Sequence, residues 1–171
     1  KSFYPGDNRP NPKNSKDIYV SCSWRNSDNM SALGIMKELM NLGVRLIGDS
    51  EDHDHFGKGN RIERIISSCG AFICIIPFRE ESIAKRGEKP YKYFVEENDL
   101  AHKVGISVLV IADPRIKLID DNTINLLPME TDTNLVTDDI RGALEDVYYN
   151  WKKPNYPQDI FCAMDLTKYA K

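Results

Sequence analysis

The sequence lacks any apolar run of the ~18–20 residues that a membrane-spanning helix needs. It also shows no apolar stretch near its beginning that would act as a signal peptide. The chain opens with Lys1 rather than Met, so we expect a processed chain or an excised domain. An excess of positive charge is missing too, because the formal net charge is −3 at pH 7. Broad, charge-driven binding of nucleic acid is therefore not expected.

The chain has few cysteines, and their spacing matches no metal-binding or redox motif. The chain has four cysteines, at positions 22, 69, 74 and 162, and no pair with CxxC spacing. Neither a zinc site nor a redox pair is indicated. Cys22 and Cys74 lie inside apolar runs, where a free cysteine acts as a small hydrophobe. We expect reduced thiols and a cytoplasmic location.

What the sequence does contain is a regular alternation of apolar runs and amphipathic segments. Strands are predicted at residues 17–23, 44–48, 71–76 and 107–112, with a fifth at 126–129 or 134–136. Helices are predicted after the first three strands and after the fifth, because apolar residues recur there at helical spacing, whereas residues 115–137 show no clear pattern. The last begins at Asp138 or Asp139, with Ile140, Leu144, Val147 and Trp151 facing inward. Such alternation with short connections predicts a doubly wound α/β sheet.

The two ends of the chain differ from this pattern. Residues 1–16 contain three prolines, three asparagines and little apolar content, which is typical of a linker or tether. The α/β domain is predicted over residues 17–153, followed by a C-terminal extension over 154–171. Residues 158–166 have strand character. They are either the opening strand of a second domain, or an edge strand or docked tail of this one.

The strongest candidate for chemistry is a pair on the predicted helix 93–103. Tyr93 and Glu97 are four residues apart, so they share one helix face. Glu96 is rotated by about 100° and cannot share that face. The helix follows loops at the carboxyl ends of parallel strands, where ligands bind in open α/β sheets. A carboxylate beside an aromatic ring suits chemistry at a sugar C–N bond. The alternative is a surface glutamate in an acidic helix.

Two loops contain further candidates. Trp24 and Arg25 follow the first strand and could stack on a base and hold a pyrophosphate, or form a solvated turn with one packed Trp. The loop 49–60 contains Asp52, His53, Asp54 and His55. His-x-His with acidic neighbours can bind zinc, but a site needs three or four convergent ligands. A mobile, pH-sensitive loop is the preferred interpretation, and no metal is expected.

Four segments together resemble the TIR (Toll/interleukin-1 receptor) domain family. Residues 17–23 (DIYVSCS) are similar to its first strand, and 65–77 (IISSCGAFICIIP) to its second helix and third strand. Residues 93–97 (YFVEE), with Ala101, resemble the aromatic-x-x-x-Glu motif of TIR NADases, and 108–114 (VLVIADP) the fourth strand and its turn. The resemblance covers residues 17–152. It implies a flavodoxin-like sheet of about five strands in the order 2-1-3-4-5.

The resemblance also implies an activity, NAD+ glycohydrolysis, with Glu97 as the catalytic carboxylate. NAD+ would be the substrate, and no cofactor or metal would be needed. The implied substrate contacts are Ser23, Trp24, Arg25, Asp49, Phe56, Gly57, Lys58 and Tyr93. Two positions depart from the family: Tyr93 stands where catalytic members usually have Trp, and Phe56-Gly57 replaces the commoner Pro-Gly. Both departures bear on activity and on substrate contact.

The implied partners are NAD+ and other copies of the domain, which would associate through the loop 49–60. The protein would be the effector of a larger defence or signalling protein, acting without direct contact to nucleic acid or membrane. Two alternatives stay open: a non-catalytic adaptor that binds other TIR domains, and a nucleoside deoxyribosyltransferase-like enzyme. Glu97 buried against the core or turned away from the crevice would favour the adaptor. A covalent sugar adduct on a carboxylate would favour the transferase.

Overall fold

The computed structural model describes residues 16–22, 30–49, 58–78, 89–115, 126–129, 133–154 and 163–166. Strands and helices alternate along most of this length. In chain order they are β1 (Asp17–Ser21), α1 (Met30–Asn41), β2 (Arg45–Asp49), α2 (Lys58–Ser67), β3 (Ala71–Ile76), α3 (Lys89–Val104), β4 (Ser107–Ala112), β5 (Leu126–Pro128), α4 (Asp138–Tyr149) and β6 (Ala163–Asp165). None of the helices in these ranges is long and apolar enough to cross a bilayer.

The strands form a six-stranded sheet in the order β5-β4-β3-β1-β2-β6. The pairs β1–β2, β1–β3, β3–β4 and β4–β5 are all parallel. The predicted order 2-1-3-4-5 is therefore confirmed, and the fold is a flavodoxin-like α/β fold. The fifth strand lies at the first of its two predicted places. Because β2 and β3 flank β1 on opposite sides, the strand order reverses direction between β1 and β3.

The hydrophobic core is divided into two layers by the sheet. On one face, Ile18 and Val20 of β1 pack with buried residues of α1 and α4. On the other face, Tyr19 and Phe72 stack with ring centroids 5.6 Å apart and pack with residues of α2 and α3. All six residues of β3 are buried. This two-sided burial explains why the central strands are uninterrupted apolar runs in the sequence.

The sixth strand belongs to the same sheet. β6 pairs antiparallel with β2, and the Leu166 amide donates a hydrogen bond to the Leu46 carbonyl oxygen at 2.8 Å. The Leu166 side chain is buried over Gly48, where a Cβ would lie 2.7 Å from Leu166 Cδ1. Of the two alternatives for residues 158–166, the described part thus forms an edge strand of this domain.

Several boundaries differ from the sequence prediction. α2 begins at Lys58, inside the predicted loop 49–60, and β1 ends at Ser21 rather than at 23. α3 begins at Lys89 rather than at 93. Pro90 is tolerated because the first helical turn needs no N–H from it. α4 ends at Tyr149, so Trp151 lies beyond the helix, half-buried, and its Nε1 donates to the Asp17 carbonyl oxygen at 3.0 Å. The N-cap of α4 is Thr137, whose Oγ1 accepts a hydrogen bond from the Ile140 amide.

Candidate functional site

The candidate site lies where β1 and β3 end, on the sheet face that α2 and α3 cover. Ser21, the last residue of β1, is in register with Cys74 of β3. Neighbouring residues Tyr19 and Phe72 are also in register and point to the α2/α3 face. Because side chains alternate along a strand, Ser21 and Cys74 lie on that same face. The carboxyl ends of strands at a reversal of strand order are where open α/β sheets bind ligands.

Glu97 reaches this region from the buried side of α3. Phe94 and Ala101 on the same helix are 0% exposed, and Glu97 between them is only 8% exposed. Its neighbour Glu96 is exposed. Positions 94, 97 and 101 share one face at helical spacing, whereas position 96 is turned toward solvent. The structure therefore separates the two consecutive carboxylates as the helical geometry predicts.

The electrostatics of Cys74 link it to Glu97. Burial raises the pKa of the Cys74 thiol well above its ordinary value, and the nearby Glu97 charge raises it further. The Ser21 hydroxyl, on the adjacent strand, acts in the opposite direction and lowers the pKa, while Cys22 makes a small raising contribution. The thiol therefore stays neutral at physiological pH. Cys74 is thus a neutral, weakly polar group rather than a second negative charge beside the carboxylate.

Ser21 places a hydroxyl in the same cluster. Its side chain is 2% exposed. Although it is close enough to influence the Cys74 thiol, its Oγ has no hydrogen-bond partner of regular geometry within the described part of the chain. A buried hydroxyl without a partner is costly, so such groups call for an explanation. We define Ser21, Cys74 and Glu97 as the β1/β3 cluster.

A second cluster of interacting side chains lies at the ends of β3 and β4. The sequence did not predict it. The Arg115 guanidinium donates to both carboxylate oxygens of buried Asp113, at 2.8 and 2.7 Å, and lies 4.0 Å from the centroid of the Phe78 ring. Residues 113 and 114 were interpreted only as the end of a strand. The ion pair and the ring contact hold the turn after β4 against Phe78, the second residue after β3. No periodic pattern in the sequence indicates such a contact.

The structure describes only part of the predicted site. Ser23, Trp24, Arg25, Phe56 and Gly57 lie outside the described residues, as does the histidine-containing segment 52–55. Asp49, Lys58 and Tyr93 are described through their backbone alone: they end β2, begin α2, and lie one turn before Glu97 on α3. Their side-chain roles stay predictions.

The described residues were also considered as metal ligands and as disulfide partners. Within the described ranges, no three His, Cys, Asp or Glu side chains are placed to hold a metal ion. Cys22, Cys69 and Cys74 are buried, and none of the three forms a disulfide bond within the described part of the chain.

Comparison with known proteins identifies the fold but not the activity. The sequence matches no protein-family model and no curated protein. Among solved structures, it is similar to the RPS4 and RRS1 TIR domain heterodimer, with a TM-score of 0.52 and 15% identity over 79% of this chain and 98% of that chain. A flavodoxin-like domain from Synechococcus sp. has a TM-score of 0.43 at 11% identity, covering 77% of this chain and 92% of that one. The first likeness shows that the chain has a TIR-like fold.

The position of Glu97 bears on both leading interpretations. Its burial is the outcome that favours a non-catalytic adaptor. Its place beside Cys74 and near the end of β1, however, is at the crevice edge of the sheet rather than away from it. Burial and placement thus point in different directions, and the two functions must be separated by experiment.

Proposed function

We propose that this domain is an NAD+ glycohydrolase of the TIR type, with Glu97 as its catalytic carboxylate. The reaction breaks the bond between nicotinamide and ribose through an oxocarbenium-like centre, as in glycoside hydrolysis. A fixed negative charge beside the ribose stabilises the positive charge that develops there. Nicotinamide leaves as a neutral molecule from a cationic pyridinium, so no acid is needed to protonate it. One carboxylate is therefore sufficient.

The observation that supports this proposal is the placement of Glu97: it shares a face of α3 with Phe94 and Ala101, which pack on the sheet face of Cys74, the register partner of Ser21 at the end of β1. Burying a carboxylate is costly, and a core-facing helical position would ordinarily be apolar. The same burial strengthens any electrostatic effect on a bound substrate, because the local dielectric constant is lower than that of water. A carboxylate on the buried face of a helix, beside the ends of the central strands, is therefore our candidate for function.

The remaining parts of the proposal come from the sequence. Trp24 and Arg25 would stack on a base and pair with the pyrophosphate, and Tyr93 would wall the site. The loop 49–60, including Asp49, Phe56, Gly57 and Lys58, would contact substrate and mediate self-association. In this view the domain is the cytoplasmic effector of a larger defence or signalling protein. Assembly would switch on the consumption of NAD+, giving nicotinamide and ADP-ribose or its cyclic form.

A second candidate is a TIR adaptor that acts only by binding other TIR domains. Two observations favour it: Glu97 is buried, and the structural neighbour is a TIR domain heterodimer. In an adaptor, Glu97 would serve packing around α3, and no substrate would need to reach it. A deoxyribosyltransferase-like enzyme would use a carboxylate of the same crevice as a nucleophile.

The proposal is tested by incubating the domain with NAD+ at high concentration, free and crowded on beads, and measuring released nicotinamide. We expect nicotinamide together with ADP-ribose or cyclic ADP-ribose. Intact NAD+ after long incubation, with the protein folded and associated with itself, would support the adaptor. Mass spectrometry of the quenched protein provides the third outcome, because a sugar adduct on a carboxylate would support the transferase.

A further inference from the structure

The outer edge of β2 is covered by a strand that is additional to the five parallel strands of the sheet. This strand, β6, pairs antiparallel with β2, with Ile47 opposite Asp165 and Gly48 opposite Met164. It is three residues long. An uncovered strand edge is a template for pairing with another chain. The position of β6 therefore determines whether the β2 edge is open to a second molecule.

The hydrogen bonds show which peptide groups of β2 face β6. The Leu166 amide donates to the Leu46 carbonyl oxygen at 2.8 Å, so residues 46 and 166 form a hydrogen-bonded pair. Because such pairs alternate with non-hydrogen-bonded pairs along an antiparallel ladder, Gly48 also directs its N–H and C=O toward β6. The Arg45 amide points the other way and donates to the Lys16 carbonyl oxygen. Without β6, the peptide groups of Leu46 and Gly48 would form an open edge.

The same edge provides space for one apolar side chain. Leu166 is 1% exposed and belongs to the core layer that β1, α1 and α4 share. A Cβ on Gly48 would lie 2.7 Å from Leu166 Cδ1 and 3.0 Å from Cδ2. The missing side chain of Gly48 thus makes the space that Leu166 fills, which we call the Leu166 pocket. The β2 edge therefore fits an antiparallel strand that places a leucine opposite Leu46.

The attachment of β6 to the rest of the domain is short on one side and long on the other. After α4, the Lys152 amide donates to the Gly70 carbonyl oxygen at 3.0 Å, which fixes the chain near the amino ends of β1 and β3. Residues 153–162 then connect Lys152 to β6, and such a length of chain can span up to about 33–36 Å. A segment with few paired residues opens locally at a lower free energy than the whole domain. β6 can thus leave β2 while the five parallel strands stay folded.

We propose that the β2 edge is a docking surface for β6 of a second copy of this chain, so that two molecules exchange their β6 strands. The partner follows from the fit, because segment 163–166 is the strand that fills the Leu166 pocket, and every copy carries both strand and edge. Reciprocal exchange gives a closed two-fold dimer. Asp49, which ends β2, also begins the segment 49–60. The meaning of this dimer for activation rests on the proposed function, whereas the docking itself does not.

The experiment is disulfide cross-linking between two kinds of full-length chain, both with Cys162→Ser. One chain carries Ile47→Cys and the other Asp165→Cys, at a non-hydrogen-bonded pair whose Cα atoms lie about 4.5 Å apart, close enough for a disulfide. After mixing and mild oxidation, we expect a covalent dimer of one chain of each kind, with a yield that rises with protein concentration. A chain with both substitutions should cross-link within itself when dilute.

The matched control is Asp139→Cys mixed with Ile47→Cys. Asp139 is an exposed aspartate of α4, so this variant repeats the chemical change away from the β2 edge and measures random collision. A synthetic peptide of residues 160–171 with Cys162→Ser provides a competitor. In excess it should suppress the mixed dimer, whereas the same peptide with Leu166→Ala should require at least about tenfold more, because it leaves the Leu166 pocket empty.

Two results would overturn the proposal. If the mixed dimer never exceeds the Asp139→Cys level while the double variant cross-links within itself, β6 is a permanent cover of its own sheet. Equal suppression by the two peptides would show that the Leu166 pocket does not select the strand. If Ile47→Cys fails to fold, the next non-hydrogen-bonded pair, Asp49→Cys with Ala163→Cys, gives the same test.

NAD+ turnover of the wild type, measured separately, distinguishes this inference from the proposed function. A mixed dimer without any turnover would support the exchange of β6 and contradict the NAD+ glycohydrolase. Turnover without a mixed dimer would support the enzyme and overturn the exchange.

Discussion

Glu96 and Glu97 are consecutive residues of α3 with opposite environments: Glu96 is exposed, and Glu97 is 8% exposed on the face that contacts the sheet. A single peptide step on a helix rotates a side chain by about 100°, which is enough to move it from solvent to the core. The two residues have the same functional group, length and charge. They therefore form a natural comparison between a carboxylate at the candidate site and one outside it.

The first prediction concerns the packing of Gly70, where β3 meets the segment after α4. A Cβ at Gly70 would overlap the Lys152 carbonyl oxygen and the Trp151 indole. Gly70→Ala should lower the free energy of unfolding by about 1–3 kcal/mol or more, because backbone must shift. Gly142, inside α4, has open space around its Cβ position, so Gly142→Ala should stabilise by about 0.5–1 kcal/mol. Urea unfolding measures both, and equal effects would contradict the described contact.

The second prediction concerns the ion pair between Asp17 and Arg45. These residues begin β1 and β2, so the pair lies at the opposite end of the strands from the candidate site. Arg45 Nε and Nη2 each lie 2.7 Å from an Asp17 carboxylate oxygen, and both side chains are 7% exposed. Arg45→Met should cost about 3–5 kcal/mol of stability, because it leaves a buried carboxylate without this cation. Arg45→Met with Asp17→Leu should recover much of the loss. Turnover per folded molecule should not change in the double variant; if it falls steeply, this end of the sheet also serves function.

The third prediction concerns the binding of the dinucleotide. If Arg25 pairs with the pyrophosphate, Arg25→Ala should chiefly raise KM, the signature of binding shared by ground state and transition state. The charge-assisted pair is worth roughly 1.5–3 kcal/mol, or about ten- to a hundredfold in affinity. Arg25→Lys should restore only part of it, since an ammonium cannot reproduce the bidentate fork. A wild-type KM in Arg25→Ala would show that the segment after β1 is a solvated turn.

The fourth prediction concerns activation by assembly. An enzyme that consumed NAD+ constantly would be toxic, so activity should require self-association through the segment 49–60, in which Gly57, just before α2 begins at Lys58, permits a change of backbone conformation. Activity per molecule should rise steeply with concentration or crowding on beads. Constant specific activity from nanomolar to high micromolar enzyme would show that a single copy is sufficient.

Two strands, β3 and β4, could be predicted to the residue because burial on both faces leaves an uninterrupted apolar run, whereas β1 and β2 were off by one or two residues. β3 and β4 begin and end where the sequence predicts. The start of α3 could not be predicted, because a proline such as Pro90 can stand either in a loop before a helix or, as here, in its first turn. Local signals thus define what lies inside an element better than where it begins.

The candidate site was only partly visible in the sequence. Helical geometry separated Glu97 from Glu96 correctly, because that choice depends on neighbours in one helix. The partnership of Ser21 with Cys74 depends on the register of two strands that are distant in the chain, and no local pattern encodes it. The contact of Arg115 with Asp113 and Phe78 is likewise a product of tertiary structure. Sequence identified the carboxylate, and the fold added the groups around it.

The central claim, that Glu97 is a catalytic carboxylate, is tested most directly by NAD+ turnover in Glu97→Gln and Glu96→Gln beside the wild type. Both changes remove one charge from α3 and preserve side-chain shape, so each controls for the other. Removing a fixed charge that stabilises the transition state should lower kcat by about 10²–10³ in Glu97→Gln, while Glu96→Gln should retain nearly full activity. Equal losses in the two folded variants, or no loss in either, would contradict the assignment of Glu97.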